Sequence, residues 1–222
     1  MKNIVVIAPH PDDETLGCGG TLLNHKQKGD NIHWIIVTKM TSKLNISSEN
    51  ILKRQKEISE VTYKYGFSSV HELKFPTTLL DTIPIGDIIA KISDVFLNIR
   101  PNIVYVPYRG DVHTDHAIVF DAAIACTKWF RYPFVERVLM YETLSETDFN
   151  LNLDLNGFRP NVFVNIEPYL QQKIDIMNIF DTEIEEFPFP RSVKAIKSLA
   201  HLRGAAAGYE AAEAFMLLKE RV

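Results

Sequence analysis

Two short segments hold most of the residues whose types and spacing could do metal or acid–base chemistry. The first is Pro9-His10-Pro11-Asp12-Asp13-Glu14, and the second is Asp111-Val112-His113-Thr114-Asp115-His116. His10, Asp13 and His116 together offer two imidazoles and one carboxylate. That is the set a catalytic zinc ion takes when one coordination position stays open for water, so Zn2+ is the cofactor expected. His113 and His116 are three residues apart, which on a helix puts both on one face. One can then bind the metal while the other faces a substrate. Asp12 adjoins Asp13 and can stand beside the water without ligating, where a carboxylate can take its proton. Each segment alone has an ordinary alternative. A His-x-x-Asp or His-x-Asp-His set often serves as a turn or a helix cap, and Asp12, Asp13 and Glu14 would complement the positive end of a helix. Two such segments at two strand ends of one sheet favour metal chemistry over capping.

The elements that must position these segments follow from the hydrophobic pattern. Ile4-Val5-Val6-Ile7-Ala8 is short, continuous and largely β-branched, and reads as a strand buried on both faces. The pattern predicts a helix over 14–28, a strand over 31–38, a helix over 48–65 with Ser48 as N-cap and Gly66 as terminator, and a strand over 70–75. A helix over 85–99, a strand over 102–106, a helix over 113–129 and a strand over 137–141 continue the series. Strand–helix alternation of this kind implies an α/β fold, with a mainly parallel sheet flanked by helices. A polar loop over 145–159 then leads to a strand over 162–166 and helices over 168–180 and 191–203. In open α/β sheets ligands bind beyond the carboxyl ends of the strands. The two segments follow the first and fourth predicted strands, and Tyr141-Glu142 ends the fifth. Gly17, Gly19 and Gly20 fall inside the first helix rather than in the turn before it, and that turn is acidic. They are expected to bring the helix close to the sheet, not to cradle a pyrophosphate.

Composition narrows the function classes. The 222 residues suit a single domain over 1–222, with 46% hydrophobic and 23% charged residues. The net charge is −4, and no basic stripe suggests a nucleic-acid partner. Cys18 and Cys126 are far apart and in no metal or redox spacing, which suits a reducing compartment. No stretch approaches the ~20 apolar residues of a membrane span. The opening apolar run is too short for the core of a signal peptide, so a cytoplasmic protein is expected. A homo-oligomer is compatible with this composition.

Pro9-His10-Pro11-Asp12-Asp13-Glu14 followed by Gly17, Gly19 and Gly20, with His113-Thr114-Asp115-His116, closely resembles the PIG-L (LmbE-like) de-N-acetylase family. Arg54-Gln55-Lys56-Glu57 resembles that family's Arg-x-x-Glu element. Pro190-Arg191-Ser192 and the stretch from Arg203-Gly204 to Ala214-Phe215 resemble its C-terminal pattern. The resemblance implies a Rossmann-like fold, zinc on His10, Asp13 and His116, and Asp12 as general base. It further implies that His113 stabilises the developing oxyanion or donates a proton, and that Asp115 tunes the histidines. The implied reaction is removal of an N-acetyl group from N-acetylglucosamine-type sugars or glycoconjugates. Arg54 is then a candidate for gripping the substrate's polar part, against pairing with Glu57 on a helix surface. Glu142 is a candidate for orienting a ligand or binding a sugar hydroxyl, and Tyr108 and Arg109 are candidates for the pocket wall. Two departures stand out. Thr38-Lys39-Met40 replaces the family's frequent Thr-x-Gly and alters a pocket wall. Asp111 stands where some members carry a tyrosine that assists catalysis. Two other readings compete: a phosphoesterase-like metal hydrolase, which would favour oxygen-rich, often two-metal sites, and a non-catalytic sugar- or nucleotide-binding module.

Overall fold

The computed structural model describes residues 1–41, 47–151 and 157–222. The chain runs β1 (Asn3–Ala8), α1 (Asp13–Gln27), β2 (Asn31–Lys39), α2 (Ser48–Tyr65), β3 (Ser69–Pro76), α3 (Ile85–Ile99), β4 (Ile103–Pro107), α4 (Thr114–Ala125) and β5 (Arg137–Tyr141). It continues through β6 (Val162–Asn165), α5 (Leu170–Met177), α6 (Val193–Ala205) and β7 (Ala212–Glu220). The predicted loop over 145–159 lies partly outside the described residues. No helix among the described residues is long and apolar enough to cross a membrane.

The seven strands form one sheet in the order β3-β2-β1-β4-β5-β7-β6. β1 pairs parallel with β2 and β4, β2 with β3, and β4 with β5. β7 runs antiparallel to both β5 and β6. This is the expected α/β architecture with an antiparallel edge. Alternate residues of the buried strands feed two cores. Ile4, Val6, Trp34 and Ile36 pack with Leu16, Leu22, Ile58, Val61, Ile174 and Ile196, so α1, α2, α5 and α6 cover one face. Val5, Ile7, Ile35 and Val104 pack with Ile88, Ile92, Phe96 and Val119, so α3 and α4 cover the other.

Several local expectations are corrected. Ser47, not Ser48, caps α2: its side chain accepts from the Asn50 amide at 3.1 Å. Gly66 ends that helix in the left-handed region, at φ 65°. α4 stops at Ala125, and Trp129 and Phe130 lie exposed beyond it. α5 is shorter than predicted and is preceded by a 3-10 turn at Glu167–Tyr169. β7 was not predicted. The glycines of α1 do admit close packing. A Cβ on Gly17 would fall against the Tyr141 ring and 3.0 Å from the Glu142 carbonyl oxygen, and one on Gly20 would lie 2.6 Å from Ile166 Cβ.

Candidate active site

β1 and β4 are neighbours, and the strand order reverses between them, β1 leading on to β2 on its other side. This is where a crevice opens beyond the strand ends. The loop after β1 is tied down from three sides. The Thr38 amide and hydroxyl donate to the Pro9 carbonyl at 3.0 and 2.8 Å, and Arg54 Nη1 donates to the Pro11 carbonyl at 2.8 Å. Asp12 then adopts φ 136° and ψ −29°, a conformation rare for a residue with a Cβ, which persists only where its surroundings impose it. They do so here. The Asp12 amide donates to Glu14 Oε2 at 3.0 Å, and its carbonyl accepts from the Thr15 and Leu16 amides, each at 2.9 Å. Glu14 is fully buried, which pushes its carboxyl up to about 7.

The residues expected to hold a metal converge. His10 Nδ1 lies 3.4 Å and His116 Nε2 3.3 Å from the same oxygen, Asp13 Oδ2. Ligand atoms of the three residues all lie within 4.8 Å of one another. The opposite ring nitrogens meet carboxylates: His10 Nε2 is 3.1 Å from Asp115 Oδ2, and His116 Nδ1 is 2.7 Å from Asp111 Oδ2. Such outer partners orient metal-binding imidazoles and fix which nitrogen is free to ligate. A second trio, His10, His113 and Asp115, is equally close. Asp115, however, already accepts from the Thr78 and Leu80 amides at 2.8 and 3.3 Å as well as meeting His10, which makes it an orienting group. His10, Asp13 and His116 therefore fit a metal ion: two nitrogens and one oxygen, one facing side, and both imidazoles held from behind. His113 Nδ1 accepts from the Asp115 amide at 3.1 Å, which leaves Nε2 as the nitrogen that carries the proton.

The charges of the cluster are strongly coupled. Burial disfavours protonated His10, yet its bonds to Asp115 and Asp13 outweigh this and hold it up at about 9. Burial also opposes charge on His116, but Asp13 and Asp111 raise it well above the ordinary histidine value. Asp13 is buried too, and the adjacent His116 and His10 still keep its carboxyl far below the usual range. Asp12 behaves in the opposite way. Burial, then the neighbouring charges of Asp13 and Glu183, push it well above the ordinary value, with Arg191 and Arg54 pulling it back. Burial and the charges of His10 and His116 bring His113 down to about 4, so its imidazole is neutral near pH 7.

These groups open into a cavity of about 280 Å³, near the lower end of the range for small-molecule sites. His10, Asp12, Asp13 and His113 line it, as do Lys39 and Met40 from the departure after β2. Arg54 also lines it, but not as a surface residue. It is buried, and it is paired with Glu57, Glu183 and Thr182 as well as with the Pro11 carbonyl. Glu142 lies elsewhere. Arg203 grips its carboxylate with two bonds, at 2.7 and 2.6 Å, beside a separate small cavity. Tyr108 packs against Phe158 and Arg109 pairs with Asp121, and neither lines the larger cavity. Among its charged lining residues, Arg191 was marked only through the resemblance of Pro190-Arg191-Ser192, and Glu72, Glu146 and Glu183 were not anticipated. Nor was the role of Asp111 behind His116. Its five-residue spacing from that histidine was a readable signal, whereas Glu183 sits in the connection between α5 and α6, where nothing in the pattern marked it.

Residues 5–127 match the family described as PIG-L: GlcNAc-PI de-N-acetylase. The chain belongs to the PIG-L family. The residues of the convergent cluster, from His10 to His116, fall within that PIG-L match. The uncharacterized deacetylase YaiS of Escherichia coli K12 is 29% identical over 180 residues, which cover 78% of this chain and 87% of that protein. The diacetylchitobiose deacetylase of Thermococcus kodakarensis is 23% identical over 222 residues, 96% of this chain and 82% of that one. The solved structure of the conserved protein TT1542 from Thermus thermophilus superposes with a TM-score of 0.79 at 24% identity, over 100% of this chain and 97% of that one. That likeness establishes the fold.

Proposed function

We propose that this PIG-L family chain is a zinc-dependent N-deacetylase that hydrolyses the acetamide of an N-acetylglucosamine-type amino sugar or glycoconjugate. The observation that carries the reading is the convergence of His10, Asp13 and His116 at the base of a cavity walled by Asp12 and His113. Deacetylase relatives and family membership support the same reaction class. Bound there, a zinc ion would polarise the amide carbonyl and make water a stronger acid. Asp12 takes the proton of the attacking water, since its carboxyl lies in the cavity and Asp13 is engaged with both imidazoles. Neutral His113 donates a hydrogen bond from Nε2 to the carbonyl oxygen as negative charge gathers on it, in the manner of an oxyanion hole. Asp115 holds His113 and His10 in their working tautomers. The proton on Asp12 passes to the leaving nitrogen, so acetate and a primary amine are released. Arg54 belongs to the substrate-facing wall, which it stabilises by holding Pro11 and Glu183.

The test is to purify the protein, measure its metal, and assay acetate and primary amine from acetylated amino sugars, free and glycosidically linked. About one zinc per chain with stoichiometric acetate and amine is expected. Two ions per chain with phosphate-ester cleavage would replace this reading with a phosphoesterase, and sugar binding without acetate release would replace it with a binding module.

A further inference from the structure

Resting on that reading, the side chains around the cavity go further and say which amino sugars fit it. Two guanidiniums reach the cavity, and the protein's own carboxylates occupy both. Arg54 places Nε 3.0 Å from Glu57 Oε2 and pairs through Nη2 with Glu183 Oε1. Arg191 places Nη2 3.2 Å from Glu183 Oε2 and Nη1 3.5 Å from Asp12 Oδ2. Glu183 thus bridges the two arginines, one oxygen to each. An arginine set to receive a carboxylate or phosphate keeps two parallel donors open, and here both terminal nitrogens of each arginine already face oxygens of the protein.

The rest of the lining does not restore a positive field. Among the described residues, five carboxylates (Asp12, Asp13, Glu72, Glu146 and Glu183) face three cations (Lys39, Arg54 and Arg191). A divalent ion on His10, Asp13 and His116 would bring that balance to neutral, not above it. At the two arginines an anionic aglycone would have to displace Glu183 or lie beside it unpaired, and a buried unpaired charge is costly. A neutral polyol meets no such conflict. Its hydroxyls both donate and accept, so Glu183, Glu72 and Glu146 can accept hydrogen bonds from them. Among the described residues, Arg191 Nε is buried without a hydrogen-bond partner, so this arginine is not saturated by the protein.

We propose that the cavity selects uncharged amino-sugar glycosides and discriminates against anionic conjugates, with Glu183 as the specificity-determining residue. The test compares methyl N-acetylglucosaminide with N-acetylglucosamine 1-phosphate on the zinc-loaded full chain. It measures kcat/KM by amine release, and it measures dissociation constants for the corresponding N-methylsulfonyl analogues, which cannot be hydrolysed. The wild type should favour the neutral ligand by at least about tenfold in both measurements. Glu183→Gln, which frees charge on both arginines, should cut that preference to about threefold or less, chiefly by tightening the phosphate ligand. Equal or tighter binding of the phosphate by the wild type, an unchanged ratio in Glu183→Gln, or binding of neither ligand would overturn the proposal. Preferential binding of the neutral analogue without amine release from either sugar would leave this selectivity standing and remove the deacetylase reading instead.

Discussion

Asp12 and Asp13 are adjacent, yet their surroundings give them different work. Asp13 Oδ2 accepts the His10 amide at 2.8 Å and lies between two imidazoles, whereas Asp12 faces the cavity from a backbone that Glu14 holds at positive φ. Asp12→Asn keeps the shape and removes the basicity. The variant should fold and retain about one zinc per chain. Its kcat should fall by roughly 10²–10⁴, the cost of losing a positioned general base. Metal analysis beside an amine-release assay checks this, and a zinc-loaded variant with near wild-type kcat would pass the base role to His113. Asp111 makes the complementary case. The sequence marks it as a departure from a tyrosine, and in the fold its carboxylate meets His116 Nδ1 at 2.7 Å and accepts from the Thr147 hydroxyl at 2.5 Å. Asp111→Asn should weaken zinc binding about 10–100-fold, the usual loss for a partner that orients a ligating histidine. Competition with a chelator of known affinity measures it, and unchanged affinity would reduce Asp111 to a packing role.

At the scale of elements, α1 must lie close enough to the sheet for Asp13, at its first turn, to reach His10 and His116. Gly17 permits that approach. Gly17→Ala would drive a methyl into the Tyr141 ring and the Glu142 carbonyl, so it should lower stability by about 1–3 kcal/mol, as overpacking does. Gly86, in the first turn of α3, is open: a methyl placed on it would meet no atom within 4 Å. Gly86→Ala should therefore stabilise, by about 0.4–1 kcal/mol, through the unfolded chain. Denaturant titrations of the two variants should shift in opposite directions, and a shift of the same sign would refute the packing argument for α1. The same contrast explains what could be read in advance. β1 and β2 are buried, largely β-branched runs bounded by turn residues, and α3 carries an unambiguous helical stripe, so their types and nearly all their limits were legible. β7 was not, because Ala212-Glu213-Ala214-Phe215-Met216-Leu217-Leu218-Lys219-Glu220 is rich in good helix formers. It is a strand only because β5 and β6 offer it partners on both sides. The residues proposed to hold a metal were legible because they sit in two compact segments. Glu183 and Arg191 reach the cavity from beyond α5, a proximity that only the tertiary fold creates.

For the whole molecule, the proposed metal position is a largely buried cluster whose protons a zinc ion would displace, so global stability should report on it. A ligand that binds only the folded state stabilises it by about 2.7 kcal/mol at a hundredfold excess over its dissociation constant. For a domain of this size that raises Tm by roughly 5–10 °C. The pH dependence follows from His10. Burial works against its proton, but Asp115 and Asp13 hold the folded-state value at about 9, above the ordinary 6.5. A raised folded value contributes stability that is fully present below about 6.5 and is lost as pH rises through 9. The metal-free protein should therefore lose this contribution between those limits. Zinc needs the unprotonated imidazole, so its competition with the proton eases over the same window. Thermal melts with excess zinc and with chelator, at pH values of about 6, 7.5 and 9, should give a Tm gap that widens with pH. A gap that stays constant, or that is largest at the acid end, would mean that His10 does not exchange its proton for the metal.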